Sequence, residues 1–142
     1  MGVPVRAWTA QTRLMLTPLN LEDLVVHLAD DYAIRPCTPD DGFWERRDRL
    51  ELSTGHLVSL FSYDRIWSYQ ERHADGDELA ILLSGAADVL LDSGAGEQRV
   101  GLTRWSACVI PRGSWHRVAP HAPSTLLFVT PVPAATQHRE AR

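Results

Sequence analysis

The chain contains no lysine; all 14 of its basic residues are arginine. Chemistry that needs a side-chain primary amine, such as Schiff-base formation with a carbonyl substrate, is therefore excluded. Cysteine is almost as scarce. Cys37 and Cys108 form no CxxC pair and match no zinc-finger spacing. Cys108 lies in an apolar stretch and reads as a small core residue, whereas Cys37 sits in a Pro-rich loop. No apolar run approaches the roughly 20 residues of a membrane span. The N-terminal MGVPVRAWTAQTR lacks the apolar core and cleavage site of a secretion signal, so cytoplasmic residence is expected. Net charge is −4 with the signs interspersed, and no basic patch points to nucleic acid. A Gly-x-Ser-x-Gly elbow, a P-loop and a dinucleotide fingerprint are all missing. Ser-His-Asp hydrolysis and nucleotide-dependent transfer are thereby left without support.

What is present reads as one domain of 142 residues. An N-terminal extension spans residues 1–48, a strand-rich body 49–131 and a polar tail 132–142. Residues 1–19 read as extended. Asn20 offers an N-cap, Glu22 and Asp23 suit a first helical turn, and Leu21, Leu24, Val25 and Leu28 recur at helical spacing. A short helix over about 20–30 is expected, with His27 solvated on it. The Pro- and Gly-bearing segment 31–48 reads as irregular, with Phe43 and Trp44 packing inward to cover an open barrel end. From residue 50 onward strand patterns arrive at short intervals: 50–53, 56–62, 65–73, 78–83, 86–92, 97–102, 107–110, 115–119 and 124–130. Turns rich in Gly, Asp, Ser and Pro separate them, which points to an all-β sandwich or barrel. The tail after Pro131 is expected to be mobile or laid across the surface.

The chemistry concentrates between Glu71 and His116. Alternation along a strand puts Glu71 and His73 on one face. Glu78 follows the Asp75-Gly76-Asp77 turn, and His116 follows Pro111-x-Gly113-x-x. Two imidazoles and two carboxylates converging in a β structure suit a divalent ion such as Fe, Mn, Ni or Zn. The alternative is a metal-free arrangement in which Glu71 pairs with a protonated His73 or His116, because a buried charge must be paired. Arg65, Trp67 and Tyr69 share the face of Glu71 and His73 by the same alternation. An aromatic wall with a few polar groups suits a small-molecule pocket, so these three are expected to bind substrate. Asp75-Gly76-Asp77 lacks the ligand count of a calcium loop and reads as a plain turn. His56, His121 and His138 read as surface histidines, His121 with a weak claim to the rim.

These spacings resemble the two motifs of the cupin superfamily. In the first, His73, four residues, Glu78, six residues and Gly85 match, with Glu71 where the family has its first His. In the second, Pro111, Gly113 and His116 match, with Trp105 in the leading Gly position and Pro120 in the closing Asn position. The resemblance covers about residues 55–131. It implies a jelly-roll β-barrel (a double-stranded β-helix) and a homodimer, formed here through the extended N-terminal segment. It also implies a metal held by His73, Glu78 and His116, with Glu71 as a fourth ligand or as a general base. The activities implied are a metal-dependent dioxygenase or an isomerase or cyclase. A non-catalytic ligand-binding or sensing domain is the competing expectation, and a storage role ranks below both.

Overall fold

The computed structural model describes residues 17–43, 52, 54–132 and 136–141. Among these residues there are eleven strands and no helix. Chain order gives β1 (Val25–Leu28), β2 (Ile34–Cys37), β3 (His56–Tyr63), β4 (Tyr69–His73), β5 (Glu78–Ser84) and β6 (Ala87–Asp92). Then follow β7 (Glu97–Leu102), β8 (Ala107–Ile110), β9 (Trp115–Pro120), β10 (Ser124–Pro131) and β11 (Thr136–Glu140). Two antiparallel sheets result, ordered β2-β1-β3-β10-β5-β8 and β11-β4-β9-β6-β7. None of the helices among the described residues could cross a membrane, since none is present.

From β3 onward the expected strands are found within a residue or so, with one exception. The strand expected over 65–73 begins only at Tyr69, because residues 64–68 form a bend. Trp44, residues 1–16 of the segment expected to be extended over 1–19, and all but Leu52 of the strand expected over 50–53 lie outside the described residues. Phe43 is buried as expected, packed with Val25, Leu52, Leu57 and Val132.

The short helix expected over 20–30 is not formed. Asn20 does accept the Glu22 N–H on its side chain at 3.0 Å, and its carbonyl accepts the Asp23 N–H at 3.1 Å. That turn is not propagated. Val25–Leu28 instead pairs with both β2 and β3, where β-branched Val25 and Val26 are well placed and the sheet satisfies the backbone. His27 is consequently buried rather than solvated, its Nε2 lying 2.7 Å from the Thr54 carbonyl. In the tail, β11 pairs with β4 along its whole length, from Thr136 opposite His73 to Glu140 opposite Tyr69.

The core lies between the sheets. Ala80 and Leu82 of β5, Ala87 and Val89 of β6, Val118 of β9 and Leu126 of β10 are at most 1% exposed. Turn geometry holds this packing in register. Gly85 has φ +88°, and a Cβ there would lie 2.4 Å from the Pro123 carbonyl oxygen, so only glycine fits. Trp105, standing where the cupin motif has glycine, keeps a positive φ of +69°. An indole-bearing residue in that conformation carries about 1–2 kcal/mol of strain. Its N–H donates to the Leu82 carbonyl at 2.8 Å, which ties the β7–β8 turn to β5.

The two outer faces differ. On the six-stranded sheet, register aligns Val58, Val129, Leu79 and Val109 in one rung and Leu60, Leu127, Ile81 and Ala107 in the next. On the five-stranded sheet, Arg72 and Arg139 both lie over the Trp115 ring, at 4.8 and 4.3 Å, and Arg139 also reaches Asp92 at 2.8 Å. Asp88 holds Arg99 and His121 on that face, so His121 is directed away from the pocket.

Candidate metal centre and its pocket

Three strands bring the quartet together. β4 supplies Glu71 and His73, β5 begins with Glu78, and β9 carries His116. Glu71 lies directly opposite His116 across the β4–β9 ladder, so two residues 45 positions apart in sequence become cross-strand neighbours. The Pro111-Arg112-Gly113 turn fixes the approach of β9. Gly113 has φ +77°, and its N–H donates to the His73 carbonyl at 2.8 Å. Asp77 anchors the same turn by accepting the Arg112 N–H at 2.8 Å. The Asp75-Gly76-Asp77 segment therefore works as a structural turn.

One ligand atom from each of the four residues falls within 4.8 Å of the others. His73 Nε2 stands 3.1 Å from Glu78 Oε2 and 3.8 Å from Glu71 Oε1. His116 Nε2 stands 3.1 Å from Glu78 Oε1 and 3.4 Å from Glu71 Oε1. His73 is 5% exposed, Glu78 2% and His116 0%. Despite these approaches, His73 Nε2, His116 Nε2 and Glu78 Oε1 have no hydrogen-bond partner of acceptable direction. Their other polar atoms are anchored. His73 Nδ1 meets Thr136 Oγ1 at 3.0 Å, His116 Nδ1 meets the Ser114 carbonyl at 3.3 Å, and Thr130 Oγ1 donates to Glu78 Oε2 at 2.6 Å. With His116 Nδ1–H donating outward, Nε2 is the ring nitrogen turned to the common centre. Outer atoms fixed and inner atoms unpartnered is the donor arrangement of a metal site. The residues present fit a divalent ion.

Electrostatics agree with tight coupling inside the quartet. Burial acts to raise the Glu78 carboxyl, but His116 and His73 outweigh it and hold it at about 2. Burial acts to lower the His116 imidazole, but Glu71 and Glu78 hold it up at about 9.

Beside the quartet opens a cavity of about 300 Å³, near the lower end of the roughly 300–1,000 Å³ usual for ligand pockets. Phe61, Tyr63, Trp67, Tyr69 and Phe128 form its aromatic wall, and Ser59, Thr130, Thr136 and His138 add polar groups. Trp67 and Tyr69 stack with centroids 5.4 Å apart and planes 18° apart, while Tyr63 meets Trp67 edge-on at 5.3 Å. Of the three residues expected to touch substrate, Trp67 and Tyr69 line this cavity. Arg65 is not among its lining residues; it is exposed in the bend and pairs with neighbouring Asp64 at 3.2 Å.

Three contributors were not read from the sequence. His138 is exposed, as expected, but it also lines the pocket and places Nε2 3.4 Å from Glu71 Oε2. Thr136 and Thr130 support His73 and Glu78. The period-two pattern Thr136, His138, Glu140 was the available signal for the tail residues, masked by the absence of any hydrophobic alternation.

No protein-family model matches the sequence, and no curated protein matches it. Solved structures do. Oxalate decarboxylase of Bacillus subtilis, a protein with Mn(II) centres, aligns with TM-score 0.50 at 14% identity, over 60% of this chain and 24% of that one. Peruvianin-I from Thevetia peruviana latex, described as a cysteine peptidase, aligns with TM-score 0.51 at 11% identity, over 64% and 58%. A cupin superfamily protein of Desulfitobacterium hafniense shares 26% identity over 54% and 67%, with TM-score 0.46. Likeness at this level speaks for architecture and leaves activity to be argued from the site. With its two antiparallel sheets, the chain shares the fold of these solved structures.

Proposed function

We propose that the protein is a metal-dependent enzyme acting on a small organic molecule held in the aromatic pocket. The observation that carries this reading is the set of three buried, unpartnered ligand atoms on His73, His116 and Glu78. His73, His116 and Glu78 would hold a divalent transition ion (Fe, Mn, Ni or Zn), with Glu71 as the fourth ligand. Such an ion supplies Lewis-acid polarisation of a substrate oxygen. The remaining work falls to this chain's own groups. Trp67 and Tyr69 orient the substrate by stacking, and the aromatic wall keeps water from the reacting face. Left unligated instead, Glu71, 17% exposed at its side chain, would be the carboxylate placed to accept a proton at Oε2, the oxygen facing His138 and the pocket. An oxygenase or an isomerase would both use these elements.

One observation favours a metal-free binding domain as a second reading. The internal pairing that holds Glu78 down and His116 up gives the quartet a way to balance its own charge. Metal content decides between the two. Protein prepared without chelator is expected to carry near-stoichiometric transition metal, to melt higher with it, and to lose it in His73→Ala/His116→Ala. Protein that stays metal-free after incubation with Fe, Mn, Ni and Zn salts would leave only the binding reading. The expected homodimer also remains a proposal. The uncharged rungs on the outer six-stranded face support it, and the mass in solution by light scattering decides it.

A further inference from the structure

We propose that the pocket selects an uncharged, planar aromatic compound bearing a hydroxyl group and discriminates against carboxylates and amines. This deepens the metal-centre reading and rests on it. The shape argument comes first. A cavity of about 300 Å³ accepts one aromatic ring with small substituents, and the parallel Trp67–Tyr69 pair presents a flat surface for it. The edge-on Tyr63 and the tilted Phe61–Phe128 pair, 6.2 Å apart, complete a slot that favours planar over branched ligands.

Charge decides the rest. The chain has no lysine, and no arginine is found among the pocket's described lining residues. The arginines nearest in sequence to the site, Arg72, Arg117 and Arg139, are committed to the opposite face of the five-stranded sheet, against Trp115, Glu97 and Asp92. In the quartet, two carboxylates offset both charges of a divalent ion, so no net positive charge faces the cavity. A carboxylate entering this space would meet no arginine or lysine and would stand beside the carboxylates of Glu71 and Glu78, which repel it. An amine fares no better, because the one partly exposed carboxylate, Glu71, already faces His138 and His116. A hydroxyl meets neither penalty. It finds hydrogen-bonding groups on Ser59, Thr136 and His138 and an oxygen-seeking centre beside them.

The test is calorimetric titration of zinc-loaded protein with 4-methylphenol, 4-methylbenzoate and 4-methylbenzylamine, three probes of one ring and similar size. The phenol is expected to bind at least about tenfold more tightly than either charged probe. Tyr69→Ala is expected to weaken the phenol by about tenfold with the metal retained. Glu71→Gln, which removes one negative charge while keeping a polar group toward His138, is expected to narrow the gap between benzoate and phenol. Either charged probe binding as tightly as the phenol would overturn the proposal. So would a Glu71→Gln protein with unchanged ranking, or a folded, metal-loaded protein that binds none of the three. Protein that takes up no zinc would sink the metal-centre reading instead, and the same three titrations on it still decide the ligand class.

Discussion

Strand β10 carries Leu126, Phe128 and Thr130 on its inner face, and β9 carries Val118 and then His116. β5 runs the other way, from Glu78 through Ala80 to Leu82. Within a few positions each strand passes from hydrocarbon to charge at nearly constant burial, for Leu82, Leu126 and His116 are all 0% exposed. At one end, burial itself is the stabilising term. At the other, burial costs free energy that hydrogen bonds, mutual ion pairing or a bound ion must offset. The same two sheets thus make a self-sufficient core and a centre that is incomplete by its own hydrogen bonding. The first keeps the second rigid.

The contrast can be broken or sharpened in three ways. The largest effect is expected from Leu126→Ala at the hydrocarbon end, a loss of about 2–5 kcal/mol in stability. Chemical denaturation measures it, and metal bound per folded molecule should not change. Concomitant loss of metal would show that the two ends are one unit. Thr136→Val should do the converse: removing the support of His73 Nδ1 is expected to weaken metal binding roughly 10–100-fold. Competition with a chelator measures that loss, and the melting temperature of the metal-free protein should barely move.

The third effect concerns pH in the metal-free protein. His116, held at about 9 against an ordinary 6.5, contributes stability that is full below 6.5 and lost as pH rises through about 9. Glu78, held at about 2 against an ordinary 4.5, contributes stability present above 4.5 and lost as pH falls through about 2. Melting temperature should therefore peak between about 4.5 and 6.5 and decline toward pH 9. Leu126→Ala should lower that curve without reshaping it, whereas His116→Ala should flatten its alkaline limb.

Much of the body was legible because strand alternation and turn residues agree from β3 onward, and because the quartet sits in two spaced motifs. The misreadings have local causes. Leu21, Leu24, Val25 and Leu28 satisfy a helical period over so few residues that pairing with β3 decides the outcome instead. Strand alternation extended over 65–73 points Arg65 into the pocket, but the chain bends at 64–68 and leaves it exposed. β11 has polar residues on both faces because one meets the pocket and the other the arginine-rich exterior, so the usual in–out contrast is missing. Thr130 gave no signal at all: a threonine before proline at a strand end is ordinary until the fold puts its hydroxyl on a buried carboxylate.

The placement of β11 has a practical side. It is the edge strand of its sheet, it delivers Thr136 and His138 to the site, and it ends at Glu140. An oligohistidine tag fused at the C-terminus would hang from the strand that carries His138 and bring a run of foreign imidazoles toward the ion being counted. Metal stoichiometry is best read from protein whose C-terminus has been left alone.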